Sequence, residues 1–151
     1  MPVAGLAEFR VDSATFYSGS GGDVDTARGF NLAVYDASTG SLTQPVRSFD
    51  TWNDPTGTNA LDLASALDAV PNRAIVMIAV ADESGLTSLE SCAHRNTAGT
   101  IAVESALRQL GSTLIGNYCY RSAWSLIAVK GEGRKDEQLS SSARVTSRFT
   151  P

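Results

Sequence analysis

The sequence contains very few of the residues that build metal centres and nucleophilic active sites. Its 151 residues include two cysteines, Cys92 and Cys119, and one histidine, His94. A closed zinc site would need all three together with a carboxylate, and no CxxC pair is present. A single histidine also argues against a serine, histidine and aspartate triad. We therefore predict no metal site, no cofactor and no catalytic residue.

The cysteines and the histidine leave some alternatives open. Cys92 and His94 could form a nucleophilic pair, but the fold rather than adjacency in sequence normally assembles such pairs. A polar surface loop is therefore favoured for both residues. Cys92 and Cys119 could form one disulfide or remain as small buried apolar residues.

Long apolar runs and an excess of basic residues are also missing. The longest unbroken apolar run covers residues 74–81. It is far too short to cross a bilayer, so we predict no membrane insertion. The chain contains twelve basic and sixteen acidic residues, which gives a net charge of -4. We therefore predict no nucleic-acid partner. No charged leader followed by an apolar stretch opens the chain, so no signal peptide is visible.

The sequence does have the composition of one folded domain. Hydrophobic residues make up 42% and charged residues 19% of the chain, and its length suits a single hydrophobic core. Beyond Gly131 the chain becomes charged and then rich in serine. We therefore predict a domain over residues 5–131 and a polar C-terminal tail or linker over residues 132–151.

Apolar periodicity predicts five strands. Alternation over residues 6–16 is typical of a strand with one buried face. Nearly continuous apolar runs at 30–35 and 74–80 indicate strands that are covered on both faces. Residues 42–49 and 124–130 supply the other two predicted strands.

Two helices are predicted between these strands. Apolar residues recur at helical spacing from Thr58 as far as Pro71, and again over residues 100–110, which are followed by Gly111. This order of elements predicts the α+β class, with helices packed on a mostly antiparallel sheet or a pair of sheets.

Short enzyme and metal motifs are absent or weak. The glycine-rich residues 19–22 lack the lysine and the spacing of a phosphate-binding loop. Asp23 and Asp25 form a DxD pair, but the glycine and distal glutamate of a calcium loop are missing. A solvated loop is therefore favoured there.

One group of residues does suggest ligand binding. Asp82 and Glu83 follow the most buried predicted strand, and Tyr120, Arg121 and Trp124 lie at the start of the last one. The acids could accept hydrogen bonds from sugar hydroxyls, the guanidinium could donate them, and an aromatic ring could pack against a sugar. Judged from residue types alone, an ion pair between Asp82 and Arg121 above a core tryptophan is the commoner arrangement.

Longer sequence blocks point to a known family. In chain order the blocks are RGFNLAV (28–34), TG (39–40), FDT (49–51), IVMIAV (75–80), DE (82–83), LGS (110–112), RSAW (121–124) and KG (130–131). The similar region that contains them extends over about Phe9 to Gly131. On these blocks the sequence resembles the interleukin-like EMT inducer family, also called the GG domain family.

The resemblance implies both a fold and a function. Family members share a compact β-β-α fold of two mostly antiparallel sheets with short packed helices. One member, the non-catalytic stem domain of the protein O-mannose β-N-acetylglucosaminyltransferase, binds β-linked N-acetylglucosamine through residues that correspond to Asp82 and Arg121. The resemblance thus implies a non-catalytic, lectin-like module with a glycan partner. Glu83, Tyr120 and Trp124 would complete its carbohydrate-binding site.

The family also suggests a setting. Members occur in secreted and cell-surface proteins and in phage tails, so we expect an extracellular, cell-surface or virion location. We also expect protein partners within a larger assembly.

Two features distinguish this chain from the family pattern. Ser122 stands where aspartate is usual, beside Arg121. The stretch from Leu86 to Thr100, within and just beyond the polar loop at 84–99, is longer than in relatives. We hypothesise that a disulfide between Cys92 and Cys119 fastens this loop beside Arg121.

Two other functions remain open. A structural or protein-interaction module, such as a connector in a tail or adhesin assembly, would use Asp82 and Arg121 as a buried stabilising pair. An enzyme would need Asp82 and Glu83 to face one pocket as an acid and a base.

Overall fold

Strands account for most of the regular structure, and two helices lie between them. The computed structural model describes residues 7–11, 14–18, 27–143 and 145–149. In chain order the elements are β1 (Ala7–Val11), β2 (Ala14–Ser18), β3 (Gly29–Tyr35), β4 (Arg47–Phe49), α1 (Thr58–Asp68), β5 (Ile75–Ala81), α2 (Ala98–Gln109), a single 3₁₀ turn (Ile115–Asn117), β6 (Ala123–Val129), β7 (Gly133–Ser140) and β8 (Val145–Phe149). A mostly antiparallel sheet with two helices confirms the predicted α+β class. Within these ranges no helix is long and apolar enough to cross a membrane.

A five-stranded sheet in the order β4-β3-β5-β6-β7 forms the centre, and every neighbouring pair is antiparallel. In its middle strand β5, Ala81 pairs with Gly29 of β3, and Ile75 pairs with Val129 of β6. Every residue of β3, β5 and β6 is buried. Consecutive residues of a strand are buried only when both faces of the sheet are covered. The predicted doubly covered strands at 30–35 and 74–80 are therefore confirmed.

The two faces of the sheet carry separate apolar clusters. Trp124 and Leu126 of β6 belong to the cluster under the helices, where Leu63 of α1 and Leu107 of α2 are fully buried. Ile127, the next residue along β6, belongs to a second cluster. Because successive side chains of a strand point to opposite faces, one strand contributes to both clusters.

The other three strands pair in the order β2-β1-β8. β1 is antiparallel to β2 and parallel to β8. The prediction of one strand over residues 6–16 is therefore wrong, because the chain reverses between β1 and β2 and pairs with itself. The glycine-rich residues 19–22 and the pair Asp23 and Asp25 lie outside the described residues.

The predicted polar tail over residues 132–151 is wrong for most of its length, because β7 and β8 lie within it. β7 pairs with β6 along the edge of the five-stranded sheet. An edge strand tolerates charged residues because one of its sides faces solvent. Polar composition in this segment therefore indicated an edge position rather than a tail.

Glu137 anchors this edge strand to the core of the domain. Its side chain is fully buried. Its carboxylate accepts a hydrogen bond from Nε1 of Trp124 at 2.9 Å and one from the backbone N–H of Thr113 at 2.9 Å. The hydroxyl of Ser112 donates to the same group. A buried carboxylate with several donors ties β7 to the core tryptophan and to the segment after α2.

We expect Glu137→Ala to lower the free energy of unfolding by about 3 kcal/mol, because it leaves the buried donors of Trp124 and Ser112 without an acceptor. Lys135→Ala, an exposed neighbour on β7, should cost less than about 0.5 kcal/mol. Chemical denaturation followed by circular dichroism measures both changes. Equal losses in the two variants would show that Glu137 does not anchor the strand.

Candidate functional site

One end of the five-stranded sheet brings the predicted site residues together. Because neighbouring strands are antiparallel, the start of β3, the ends of β4 and β5 and the start of β6 meet there. The loops at this end, residues 27–28, 50–52, 82–85 and 119–122, form what we call the site rim. Four of the five predicted carbohydrate-binding residues lie on it.

Asp82 and Arg121 are exposed on the site rim. Both backbones are left-handed, with φ of 62° at Asp82 and 61° at Arg121. This conformation costs L residues energy, and it clusters at functional sites. Among the residues that the structure describes, none forms a hydrogen bond or ion pair with the Asp82 carboxylate or the Arg121 guanidinium. The buried ion pair that residue types alone favoured is therefore not formed.

Glu83 turns inward instead, and its side chain holds the rim together. It is 2% exposed. Its carboxylate accepts hydrogen bonds from the backbone N–H groups of Ser84 at 2.8 Å, Gly85 at 3.0 Å and Arg121 at 2.7 Å. The prediction that Glu83 contacts a sugar is wrong, because it is buried away from any ligand. Glu83 therefore positions the backbone of Arg121.

The environment of Glu83 acts on its protonation in two directions. Burial raises the pKa of Glu83, because it penalises the charged carboxylate. The three backbone hydrogen bonds oppose this shift. Asp82 is exposed while Glu83 is buried, so the two carboxyls do not face one pocket as an acid and base pair would.

Trp124 is also unable to contact a ligand, and its prediction as a carbohydrate-binding residue is wrong. The side chain is fully buried. Its ring meets Phe30 edge to face, with 5.9 Å between the ring centroids. Its Nε1 is held by Glu137. The large apolar ring is therefore a core residue beneath the site.

The structure adds two residues, Trp52 and Arg95, that sequence reasoning missed. The ring centroids of Trp52 and Tyr120 lie 5.7 Å apart, with 45° between the ring planes. The Arg95 guanidinium lies 5.7 Å from the centroid of Trp52, and the Arg121 guanidinium lies 5.4 Å from that of Tyr120. We call these four residues the aromatic row. The one sequence signal for Trp52 was its place directly after the FDT block.

Arg28 and Asp50 form a paired brace next to Asp82. The Arg28 guanidinium donates two hydrogen bonds to the Asp50 carboxylate, at 3.1 and 2.7 Å. This contact is the main cause of the raised pKa of Arg28 and of the lowered pKa of Asp50. The negative charge of Asp82 adds to the shift of Arg28. The rim thus carries one neutralised pair beside the unpaired Asp82.

The model of the interleukin-like EMT inducer family matches residues 28–132, which include the site rim apart from residue 27. The chain belongs to the interleukin-like EMT inducer family. The resemblance read from the sequence blocks is thereby confirmed. No curated protein gives a match to the chain.

In this interleukin-like EMT inducer domain, the long loop after β5 is fastened to the site rim. A disulfide joins Cys92 to Cys119, which is the link hypothesised from the sequence. The backbone N–H of Tyr120 donates to the carbonyl of Ser91 at 2.9 Å. A surface cleft of about 410 Å³ lies at this junction, lined by Glu90, Ser91, Cys92, Cys119, Tyr120 and Arg121. The disulfide leaves Cys92 without a thiol, so it is not a nucleophile.

His94 fixes the base of the same loop. Its Nδ1 contacts the carboxylate of Glu104 in α2, and its Nε2 lies 2.9 Å from the carbonyl oxygen of Tyr118. The two contacts tie the loop to α2 and to the main chain just before Cys119. His94 therefore has a structural role. In the described part of the chain, no group of three or more histidine, cysteine and acidic side chains is arranged to hold a metal ion.

The raised pKa of Glu83 predicts a pH dependence of stability. The folded protein holds this proton more tightly than the unfolded chain does. The contribution of Glu83 to the free energy of unfolding therefore falls as pH rises through the range above its ordinary pKa. Glutamine does not titrate, so the stability of wild type minus that of Glu83→Gln should decrease from about pH 4 to about pH 7.

Urea denaturation across this pH range measures the difference. Glu90→Gln, which changes an exposed carboxyl of the same loop, serves as the matched control. A difference between wild type and Glu83→Gln that grows with rising pH would contradict the assignment of burial as the dominant effect on Glu83.

Proposed function

We propose that the site rim is a glycan-binding surface and that the domain is a non-catalytic, lectin-like module. One observation carries this proposal. Asp82 and Arg121 are exposed, oppositely charged and without a polar partner among the described residues, although they extend from one rim. Charged side chains left unpaired on strained backbone are typical of groups kept for a ligand.

The chemistry of the two groups suits a sugar. A carboxylate accepts hydrogen bonds from neighbouring hydroxyls, and a guanidinium donates in a planar fork to hydroxyl or carbonyl oxygens. An N-acetyl group offers such a carbonyl. N-acetylglucosamine, the sugar implied by the family resemblance, is therefore the ligand that we propose first.

The rim is organised before any ligand arrives. The hydrogen bond from the Arg121 N–H to Glu83 and the paired brace of Arg28 and Asp50 fix the main chain on either side of Asp82. A preorganised site loses less entropy on binding than a flexible one. The site is nevertheless shallow and few ligand atoms would be buried, so we expect millimolar affinity for a single sugar.

Non-catalytic binding is also the simpler reading of the rim chemistry. A glycosidase would present two carboxyls on opposite sides of one bond. On this rim Asp82 is exposed, Glu83 is buried and Asp50 is committed to Arg28. We propose that the module serves within a larger extracellular, cell-surface or virion polypeptide.

A structural or protein-interaction module is the second candidate. Among the described residues four large apolar side chains are exposed, Leu42 at 41%, Leu61 at 45%, Leu89 at 63% and Ile101 at 55%. Exposed apolar residues are typical of surfaces that meet another protein where they join into one contiguous patch. This candidate gains support if the folded domain binds no glycan.

We also propose that the β2-β1-β8 strands form a second layer against the five-stranded sheet, as the family's two-sheet architecture implies. The hydroxyl oxygens of Ser125 in β6 and Ser147 in β8 lie 2.5 Å apart. Val145 of β8 belongs to the apolar cluster that includes Ile127 of β6. These contacts support sheet-on-sheet packing on the face away from the helices.

We expect Arg121→Ala and Asp82→Asn each to weaken binding of methyl β-N-acetylglucosaminide at least about tenfold, because each removes a charge-assisted hydrogen bond. A glycan array and an NMR titration of the amide resonances measure the effect. The matched control is Arg73→Ala, which removes an exposed arginine with the same left-handed backbone, φ 72°, from the opposite end of β5. A folded Arg121→Ala protein that binds like wild type would refute the assignment.

A further inference from the structure

We propose that Trp52, together with Tyr120, forms the apolar wall of this glycan site. The site would thereby select sugars that present a flat hydrocarbon face. This inference rests on the proposed function and deepens it, because it names the residue that recognises the ring of the sugar rather than its polar groups. In this role Trp52 takes the place that the sequence analysis assigned to Trp124, which is buried in the core.

The main chain places Trp52 on the rim by a close approach to the turn after β5. Gly85 has a φ of +75°, and a Cβ at this position would lie 2.0 Å from the Thr51 carbonyl oxygen and 2.9 Å from the Trp52 Cα. The Thr51 hydroxyl donates to the carbonyl of Ser84. Only glycine allows this approach. The turn that follows Asp82 and the chain that carries Trp52 are therefore held against each other.

Trp52 is partly exposed, in contrast to Trp124, which is fully buried. It contacts Tyr120, which is also partly exposed and directly precedes Arg121. Among the described residues, none accepts a hydrogen bond from the Nε1 of Trp52. Trp52 thus offers an apolar surface with a free donor at its edge, which is the combination that a sugar ring and its hydroxyls require.

The charges around the rings support a polar, ring-shaped ligand over a purely apolar one. The guanidiniums of Arg95 and Arg121 lie at the two ends of the aromatic row, against Trp52 and Tyr120. Arg95 is itself held by a hydrogen bond from its Nε to the Thr87 carbonyl at 3.1 Å. No such contact holds the Arg121 guanidinium within the described residues, so it can leave the Tyr120 ring to reach a ligand oxygen. An apolar partner would leave both cations unsolvated.

The test uses the two tryptophans of the chain as reporters. In a proton and nitrogen correlation spectrum of the full chain, each indole Nε1–H gives one resonance. Trp124 is an internal reference because its Nε1 is buried and bonded to Glu137. Titration with methyl β-N-acetylglucosaminide should shift the Trp52 resonance saturably and leave that of Trp124 unmoved. Trp52→Phe assigns the two peaks.

Affinity changes provide the second measurement. Trp52→Ala should weaken binding at least about tenfold, and Trp52→Phe, which keeps a flat ring, should weaken it less. Thermal unfolding shows whether each variant is folded. The wild-type titration does not depend on any variant, so the proposal can be refuted even if Trp52→Ala fails to fold.

The outcomes separate this inference from the proposed function. If the sugar shifts the amides of Asp82 and Arg121 but not the Trp52 indole, glycan binding stands and the Trp52 wall is refuted. If folded Trp52→Ala binds like wild type, the wall is refuted in the same way. If the sugar shifts no resonance of the wild type, the proposed function fails for this sugar and the Trp52 inference falls with it.

Discussion

The buried carboxylate of Glu83 is the contact on which the site depends. It gathers three main-chain N–H groups, two from its own turn and one from Arg121, and so joins the end of β5 to the loop before β6. A polar group in the interior is tolerated only when its hydrogen bonds are satisfied. This requirement fixes both main-chain segments, and Asp82 and Arg121 project from them into solvent.

A second buried carboxylate plays the same part at the edge of the sheet. Glu137 binds the indole N–H of Trp124 and the main chain after α2. The tryptophan is thus held from its polar edge, while its ring packs on Phe30. Both acids act as acceptors for groups that strands and helices leave without partners. The apolar clusters supply the bulk of the fold, and these two acids set the positions of its irregular segments.

The fold could be predicted where burial is continuous, and not where polar residues do structural work. The apolar runs of β3 and β5 could be recognised in the sequence because strands that are covered on both faces must be apolar throughout. β7 was missed because an edge strand with one buried glutamate has the composition of a tail. The reversal between β1 and β2 was missed although the sequence carries a signal for it, because the apolar positions change from 9 and 11 to 14 and 16 across the two polar residues Asp12 and Ser13.

The site was partly predictable for a similar reason. The family blocks indicated Asp82 and Arg121, and the structure places both on one rim. Nothing in the sequence distinguishes the exposed Asp82 from the buried Glu83, because neighbouring residues in a turn can point either way. The roles of Trp52 and Trp124 were likewise not separable, since burial depends on contacts between segments that are distant in sequence.

The left-handed backbones at Asp82 and Arg121 have a consequence for how such a surface can change. Each conformation costs on the order of 1–3 kcal/mol that glycine would not incur. A glycine at either position would make the domain more stable and would at the same time remove a charge from the site rim. Mutations that increase stability and selection that retains the two charges therefore oppose each other. A homologue that no longer binds a ligand should carry glycine at both positions.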